Sequence, residues 1–346
     1  MAASRQRWLK RLRIRVRIAL FVLIGILSLG GLLVCTQGDD FAIATMASPL
    51  GVESATLAFS APEEVMETID IFQAAMLGLV QGLTEFLPIS STAHLKAVPV
   101  ALGWGDPGSA FSAVIQLGSI AAVLSYFWQD LTQIVRGAIA AIARSDYQSQ
   151  DFRLALGIAF GTVPIVFFGL LITVLIPDFD RSPLRSMGTI AIASIVMALL
   201  LGIAEQLSRH RRKFDKLSLQ DGIYMGLAQT LAIIPGVSRS GSTLTAGLFL
   251  EMVRATAARF SFLLGIPAIT LAGLVKLKEA LGLGLTRADL VPLGVGLLSS
   301  AIFSYIAIAW LIRFLQTQST WVFVWYRLGF GIVILAAIAA GWVENG

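Results

Sequence analysis

Charge is scarce in this chain. Of its 346 residues only 14 % are Asp, Glu, Lys or Arg while 56 % are hydrophobic, and mean hydropathy is +0.81, against roughly a quarter charged in an ordinary soluble domain. So small a charged fraction cannot clothe a water-facing surface, which excludes a soluble globular enzyme. Apolar runs recur along almost the whole length, so the chain reads as one integral membrane unit rather than two soluble domains. Cysteine is rarer still. Cys35 stands alone, which excludes an intramolecular disulfide framework and any cysteine-based metal cluster. Histidine occurs only as His94 and His210. The net charge of +5 comes from short Lys and Arg clusters between apolar runs, without interleaved aromatics. It points to positive cytoplasmic loops and away from nucleic acid.

What is present falls into three parts. Arg5, Arg7, Lys10, Arg11, Arg13, Arg15 and Arg17 precede an apolar stretch from Ile18 to Val34, the order of a secretory signal or of an uncleaved anchor, with Ala42-Ile43-Ala44 as a small-residue cleavage candidate. Residues 1–45 are therefore a signal-like or anchor segment, 46–68 a linker, and 69–346 a polytopic membrane domain. Within that domain six stretches approach the roughly 20 apolar residues needed to span a bilayer: about 110–128, 154–176, 187–207, 257–277, 289–312 and 321–342. Two further apolar segments, about 70–103 and 219–252, are interrupted by Pro, Gly and hydroxyl residues. Lipid cannot satisfy the backbone groups such breaks release, so both read as re-entrant helix hairpins held inside protein.

The strongest internal basic cluster, Arg209, Arg211, Arg212, Lys213 and Lys216, is placed in the cytoplasm. Counting outward puts 129–153 inside and residues 104–109 and the linker outside, in agreement with the secretory-like start. Gly78-Leu79-Val80-Gln81-Gly82-Leu83 matches Gly226-Leu227-Ala228-Gln229-Thr230-Leu231 at a constant offset, which also lays Ser90 on Ser238. Each half, about 70–207 and 219–342, then reads as one re-entrant hairpin followed by three spans. Three spans per half turn the second copy upside down, so the fold expected is all-α with an inverted-topology repeat whose breaks meet near the midplane.

The chemistry-bearing residues sit at those breaks. Gln81 and Glu85 are four apart and share one face of the incoming half-helix, and Ser91 and His94 are three apart on the outgoing one. A carboxylate at the centre of a spanning helix costs about 2.5–3.5 kcal/mol on insertion scales, so Glu85 needs a partner, a metal or a role. A serine and a histidine beside a carboxylate make the minimal kit for an activated nucleophile. The second break, Pro235-Gly236-Val237-Ser238-Arg239-Ser240-Gly241-Ser242-Thr243, joins hydroxyls and a helix start to an arginine fork, which suits an anion and phosphate in particular. Lys96 reads as a snorkelling helix-end lysine. On chemistry alone, phosphoryl transfer and anion transport without bond breakage stand level.

These motifs carry a resemblance. Gln81 to His94 resembles the first signature of the undecaprenyl-diphosphatase family, also called bacitracin-resistance proteins, and Pro235 to Gly241 resembles the second. Phe260 to Ala268 and Tyr326-Arg327 are similar to two further landmarks, so the resemblance covers about residues 70–342. It implies hydrolysis of undecaprenyl diphosphate to the monophosphate, recycling of the lipid carrier for cell-wall synthesis, and bacitracin resistance. It carries Ser91, His94, Glu85 and Arg239 over as catalytic residues. Ser90, Thr92, Ser238, Ser240, Gly241, Thr243 and Arg327 are the expected phosphate-binding group. Glu85 and Gln81 are the expected ligands of a Mg²⁺ or Ca²⁺ cofactor. Where the family pattern has paired carboxylates this chain has Gln81, which weakens a two-carboxylate metal site. The expected partners are a polyprenyl diphosphate, the bilayer and, as a compatible assembly, a second copy in a homodimer. The expected location is the bacterial inner membrane with the catalytic mouth facing the periplasmic side. The rival function is a lipid-carrier flippase or anion transporter. Acid-phosphatase-like membrane phosphatases need a second histidine late in their motif, and none follows Arg239.

Overall fold

The computed structural model describes residues 69–345 apart from 106, 177–178, 180–181 and 283–288. The signal-like segment, the linker and Cys35 lie outside the described residues. Within them the chain is helical, and its one β contact is an isolated bridge between Arg212 and Met252. The order is α1 (Ile71–Phe86), α2 (Ser91–Leu102), α3 (Gly108–Tyr126), α4 (Trp128–Arg144), α5 (Gln150–Leu175), α6 (Met187–Leu207), α7 (Leu219–Gln229), α8 (Arg239–Phe249), α9 (Arg254–Gly282), α10 (Leu290–Thr317) and α11 (Trp321–Ala339).

Two breaks fall where Pro, Gly and Ser interrupt the apolar pattern, between α1 and α2 and between α7 and α8. The helices flanking them have 16, 12, 11 and 11 residues. At about 1.5 Å per residue each reaches only part of a hydrocarbon core roughly 30 Å thick. By contrast α5, α6, α9, α10 and α11 are long and apolar enough to cross. A sixth crossing counts α3 together with α4, which bends away by 65° after Phe127.

Between the apolar stretches, where the sequence reading names no element over 129–153, Trp128–Arg144 is a helix. Its polar residues conceal a helical period. Trp128, Val135, Ile139 and Ile142 lie exposed along one stripe while Ile134 and Ala141 are buried. A charge count alone does not see such a period.

Close packing explains the small residues in the broken helices. Helix α1 lies along α10, and a Cβ added at Gly78 would stand 2.3 Å from the Gly296 carbonyl oxygen. Helix α7 lies along α5 in the same way, and a Cβ at Gly226 would stand 2.1 Å from the Gly161 carbonyl oxygen. Where lipid gives no hydrophobic drive between helices, backbone approach of this kind holds them together. Further contacts join α3 to α9 and α10, α6 to α11, and α8 to α6, α7 and α9.

On the side of the basic cluster, Arg212 forks onto Asp221 with bonds of 2.7 and 2.6 Å. Buried Glu205 accepts from Arg254 and from Thr320. These pairs tie the connection between the halves to α6, α7, α9 and the start of α11, so part of the basic cluster is structural.

Candidate active site

Both breaks end on a serine with an unusual backbone. Ser90 has φ 76° and ψ 102°, and Ser238 has φ 72° and ψ 117°. Side-chain-bearing residues rarely adopt this region, and it is kept where the surroundings enforce it. The turns present Ser91 and Arg239 at the first positions of α2 and α8.

The nearly buried Glu85 carboxylate joins the two breaks. Its Oε1 accepts from Arg239 Nη2 at 3.3 Å, and its Oε2 accepts from Ser91 Oγ at 2.7 Å and from Gln81 Nε2 at 3.3 Å. The carboxylate thus has the counter-charge that burial demands. The same residue is hydrogen-bonded to a hydroxyl that can act as a nucleophile. Arg239 is nine-tenths buried, yet its Nε and Nη1 have no hydrogen-bond partner. Its guanidinium lies 5.9 Å over the Phe86 ring and rests on Gly265 of α9, where an added Cβ would fall 1.8 Å from Nη1. Gly265 lies within the Phe260 to Ala268 landmark, and the sequence alone gives it no role. Its reason is steric, since only a residue without a side chain leaves room for the guanidinium.

The remaining candidates separate. Ser240 Oγ donates to the Leu87 carbonyl at 3.0 Å and shares a hydrogen bond with Ser238 Oγ, which also accepts from the Gly241 amide at 3.1 Å. Thr243 Oγ1 donates to the Arg239 carbonyl at 2.8 Å and pairs with Ser261. These hydroxyls hold the second turn in shape and fasten it to the first. The amides of Arg239 and Ser240, at the head of α8, stand outside the intrahelical ladder. Thr92 is exposed and joins none of these bonds. Lys96 points away, donating to the Arg185 carbonyl at 2.6 Å.

Arg327, expected among the phosphate ligands, sits among backbone carbonyls. It is 1 % exposed and donates to four carbonyls: Ser194 at 3.3 Å, Pro88 at 3.0 Å, Gly236 at 2.8 Å and Val237 at 3.0 Å. Two of its acceptors belong to the second break and one to the first. With its fork engaged in this way it staples the breaks together.

His94 departs from the expected serine–histidine pair. Its Nδ1 is 2.7 Å from the Ser90 carbonyl oxygen and its Nε2 2.6 Å from the Tyr326 hydroxyl. Ser91 meets Glu85 instead.

Sequence reasoning also missed a buried hydroxyl group behind the site. Gln81 Nε2 reaches Ser119 Oγ at 3.4 Å, and Ser119 bonds Ser300 at 3.0 Å and Ser304 at 2.8 Å. Nothing in an apolar run marks such serines, because they meet only when α1, α3 and α10 pack. Among the described residues no group of three or more His, Cys, Asp or Glu is arranged to hold a metal. A cavity of about 580 Å³ lined by Asp130, Asp151, Phe214 and Arg259 includes none of the site residues.

Comparison with known proteins matches residues 74–333 to the family described as Bacitracin resistance protein BacA. The chain is 64 % identical over 307 residues to a Trichormus variabilis protein named undecaprenyl-diphosphatase, covering 88 % of this chain and 94 % of that one. Proteins of the same name from a Nostoc and a Synechocystis species are 66 % and 65 % identical, each match covering 81 % of this chain and 88 % of the relative.

Proposed function

The chain belongs to the family of bacitracin resistance protein BacA, and on that premise we propose how its site performs the reaction for which its relatives are named. It is a membrane-embedded phosphatase that hydrolyses undecaprenyl diphosphate to undecaprenyl phosphate and inorganic phosphate. The product is the carrier form used in cell-wall synthesis, and its release removes the diphosphate that bacitracin captures. A flippase or anion transporter is not favoured, since the relatives are named for hydrolysis.

One observation carries the mechanism: Ser91 Oγ donates at 2.7 Å to one Glu85 oxygen while Arg239 holds the other. Ser91 Oγ attacks the terminal phosphorus and its proton passes to Glu85. The bridging P–O bond breaks, and undecaprenyl phosphate departs with the bonding electrons as an anion that needs no proton. Glu85 returns its proton to the medium, then takes one from the water that attacks the phosphoserine. As the Ser91 Oγ–P bond breaks, Glu85 passes that proton to Ser91 Oγ, which leaves as the hydroxyl, and inorganic phosphate is released. Arg239, through its unpartnered Nε and Nη1, and the amides at the head of α8 meet the phosphoryl oxygens where charge gathers.

Mg²⁺ or Ca²⁺ fits this site as a companion of the substrate. Glu85 is the one carboxylate in the cluster and Gln81 brings an amide, so a cation would take a Glu85 oxygen and otherwise diphosphate oxygens. When bound it would neutralise phosphate charge.

The proposal extends to an inverted repeat, supported by the parallel between α1 on α10 and α7 on α5 and by the matched backbones of Ser90 and Ser238. It places the chain in the inner membrane with the mouth outward, as a homodimer. Reaction of single cysteines with impermeant reagents tests the orientation, and cross-linking in membranes tests the dimer.

The central test follows inorganic phosphate from a polyprenyl diphosphate in detergent, with acid quenching to trap phosphoserine. Wild type should release phosphate and label Ser91, and Ser91→Ala should do neither. No release by wild type with either cation sinks the hydrolase reading, and normal turnover by Ser91→Ala sinks the nucleophile.

A further inference from the structure

Both nitrogens of the His94 ring are occupied, and the occupants decide which one carries the proton. The Ser90 carbonyl can only accept, so Nδ1 must bear the hydrogen across their 2.7 Å contact. In the neutral ring Nε2 is then a lone pair, and the Tyr326 hydroxyl donates to it at 2.6 Å. The ring plane is fixed as well, stacked on Phe330 at 4.5 Å and beside Tyr326 at 5.6 Å.

The second break shows what this arrangement accomplishes. The offset that lays Ser90 on Ser238 also lays His94 on Ser242. In the second break the Ser242 amide bonds the Ser238 carbonyl at 2.9 Å, and Ser238 Oγ caps the Gly241 amide at 3.1 Å. In the first, the Ser90 side chain makes no cap and the His94 amide stands 3.4 Å from the Ser90 carbonyl. The same strained backbone thus lacks the cap and has a long amide bond. The imidazole Nδ1–H gives the Ser90 carbonyl a second donor at 2.7 Å, which makes up for the long amide bond. Ser90 immediately precedes Ser91, so any tilt of its peptide re-aims the hydroxyl relative to Glu85.

We propose that Tyr326 and His94 are a positioning pair: Tyr326 selects the Nδ1–H tautomer, and His94 braces the Ser90 peptide so that Ser91 is aimed. This deepens, and rests on, the reading of Ser91 as the nucleophile. Proton transfer from Ser91 stays with Glu85, and the imidazole acts through backbone geometry.

The test uses full-length protein labelled with ¹⁵N-histidine in detergent, with His210→Gln leaving His94 as the sole signal. Nitrogen shifts should report a protonated Nδ1 and a bare Nε2, and Tyr326→Phe should mix the tautomers. In phosphate release Tyr326→Phe should lower kcat roughly tenfold with KM held within about twofold. The His94→Asn amide can donate to Ser90 from the Nδ1 position without help from Tyr326. It should keep about a tenth or more of kcat, and adding Tyr326→Phe to it should cost nothing further. An Nε2–H tautomer in wild type, or a Tyr326→Phe loss that persists undiminished beside His94→Asn, overturns the proposal. Normal turnover by Ser91→Ala would remove the nucleophile reading and leave the tautomer result standing, so the two failures are distinguishable.

Discussion

Gly265→Ala places one methyl group against Arg239, the arginine proposed to hold the phosphoryl group. The added Cβ would lie 1.8 Å from Arg239 Nη1 and 2.7 Å from Cζ. Ordinary contact begins near 3.4 Å, so the guanidinium must retreat by roughly 1.6 Å. It is the far end of a flexible side chain and can retreat, so the fold should survive. Its bond to Glu85 is already 3.3 Å long and leaves no slack. A shift of this size moves the guanidinium out of the position in which it meets Glu85 and, in the proposed mechanism, the phosphoryl oxygens. Losing one preorganised donor at developing charge costs about 2.7–4 kcal/mol, or roughly 10²–10³ in kcat. The assay is phosphate release from a polyprenyl diphosphate in detergent, with the thermal midpoint recorded beside it. A Gly265→Ala protein that folds and keeps kcat within about threefold of wild type would refute the claim that the Arg239 position sets the rate.

Arg327→Met leaves carbonyls of both breaks without donors. At about 1–3 kcal/mol for each unsatisfied buried group the detergent thermal midpoint should fall steeply, and Arg327→Lys should recover only part because an ammonium lacks the planar fork. Equal midpoints for Met, Lys and wild type would count against the staple. Gly226→Ala sets a Cβ 2.1 Å from the backbone oxygen of Gly161, which cannot swing aside. That overpacking should cost roughly 1–3 kcal/mol, read as a lower midpoint, and an unchanged midpoint would mean that α7 does not depend on close approach to α5.

The spans were legible because length and hydropathy are one-dimensional properties. The breaks were legible because Pro88, Ser90, Pro235 and Gly236 interrupt apolar runs that lipid would otherwise punish. Glu85 and Arg239 stood out for the same reason, as charges where charge is expensive. The direction of a hydrogen bond was not legible. Ser91 and His94 share a helix face by spacing, yet Ser91 turns to Glu85 and His94 to Ser90 and Tyr326. Tyr326 lies 232 residues from His94 in the chain, and no periodicity in α2 reports it. The motif of Arg327 says cation and reads as a phosphate ligand, whereas its burial among carbonyls is a fact of packing that no motif carries. Helix α4 was missed because its apolar residues are spaced for a surface stripe and not for a span.

Glu85 and Arg239 belong to different breaks, and neither is matched within its own. A half folded alone would bury one unpaired charge, whereas the two halves together bury a neutral pair. Ser240 and Arg327 fasten the same junction through the Leu87, Pro88, Gly236 and Val237 carbonyls. The contact that assembles the proposed catalytic group is therefore also the one that makes burial of its charges tolerable. Breaking the Glu85–Arg239 pair should accordingly lower both activity and thermal midpoint, whereas Ser91→Ala, which removes no charge, should lower activity and leave the midpoint nearly in place.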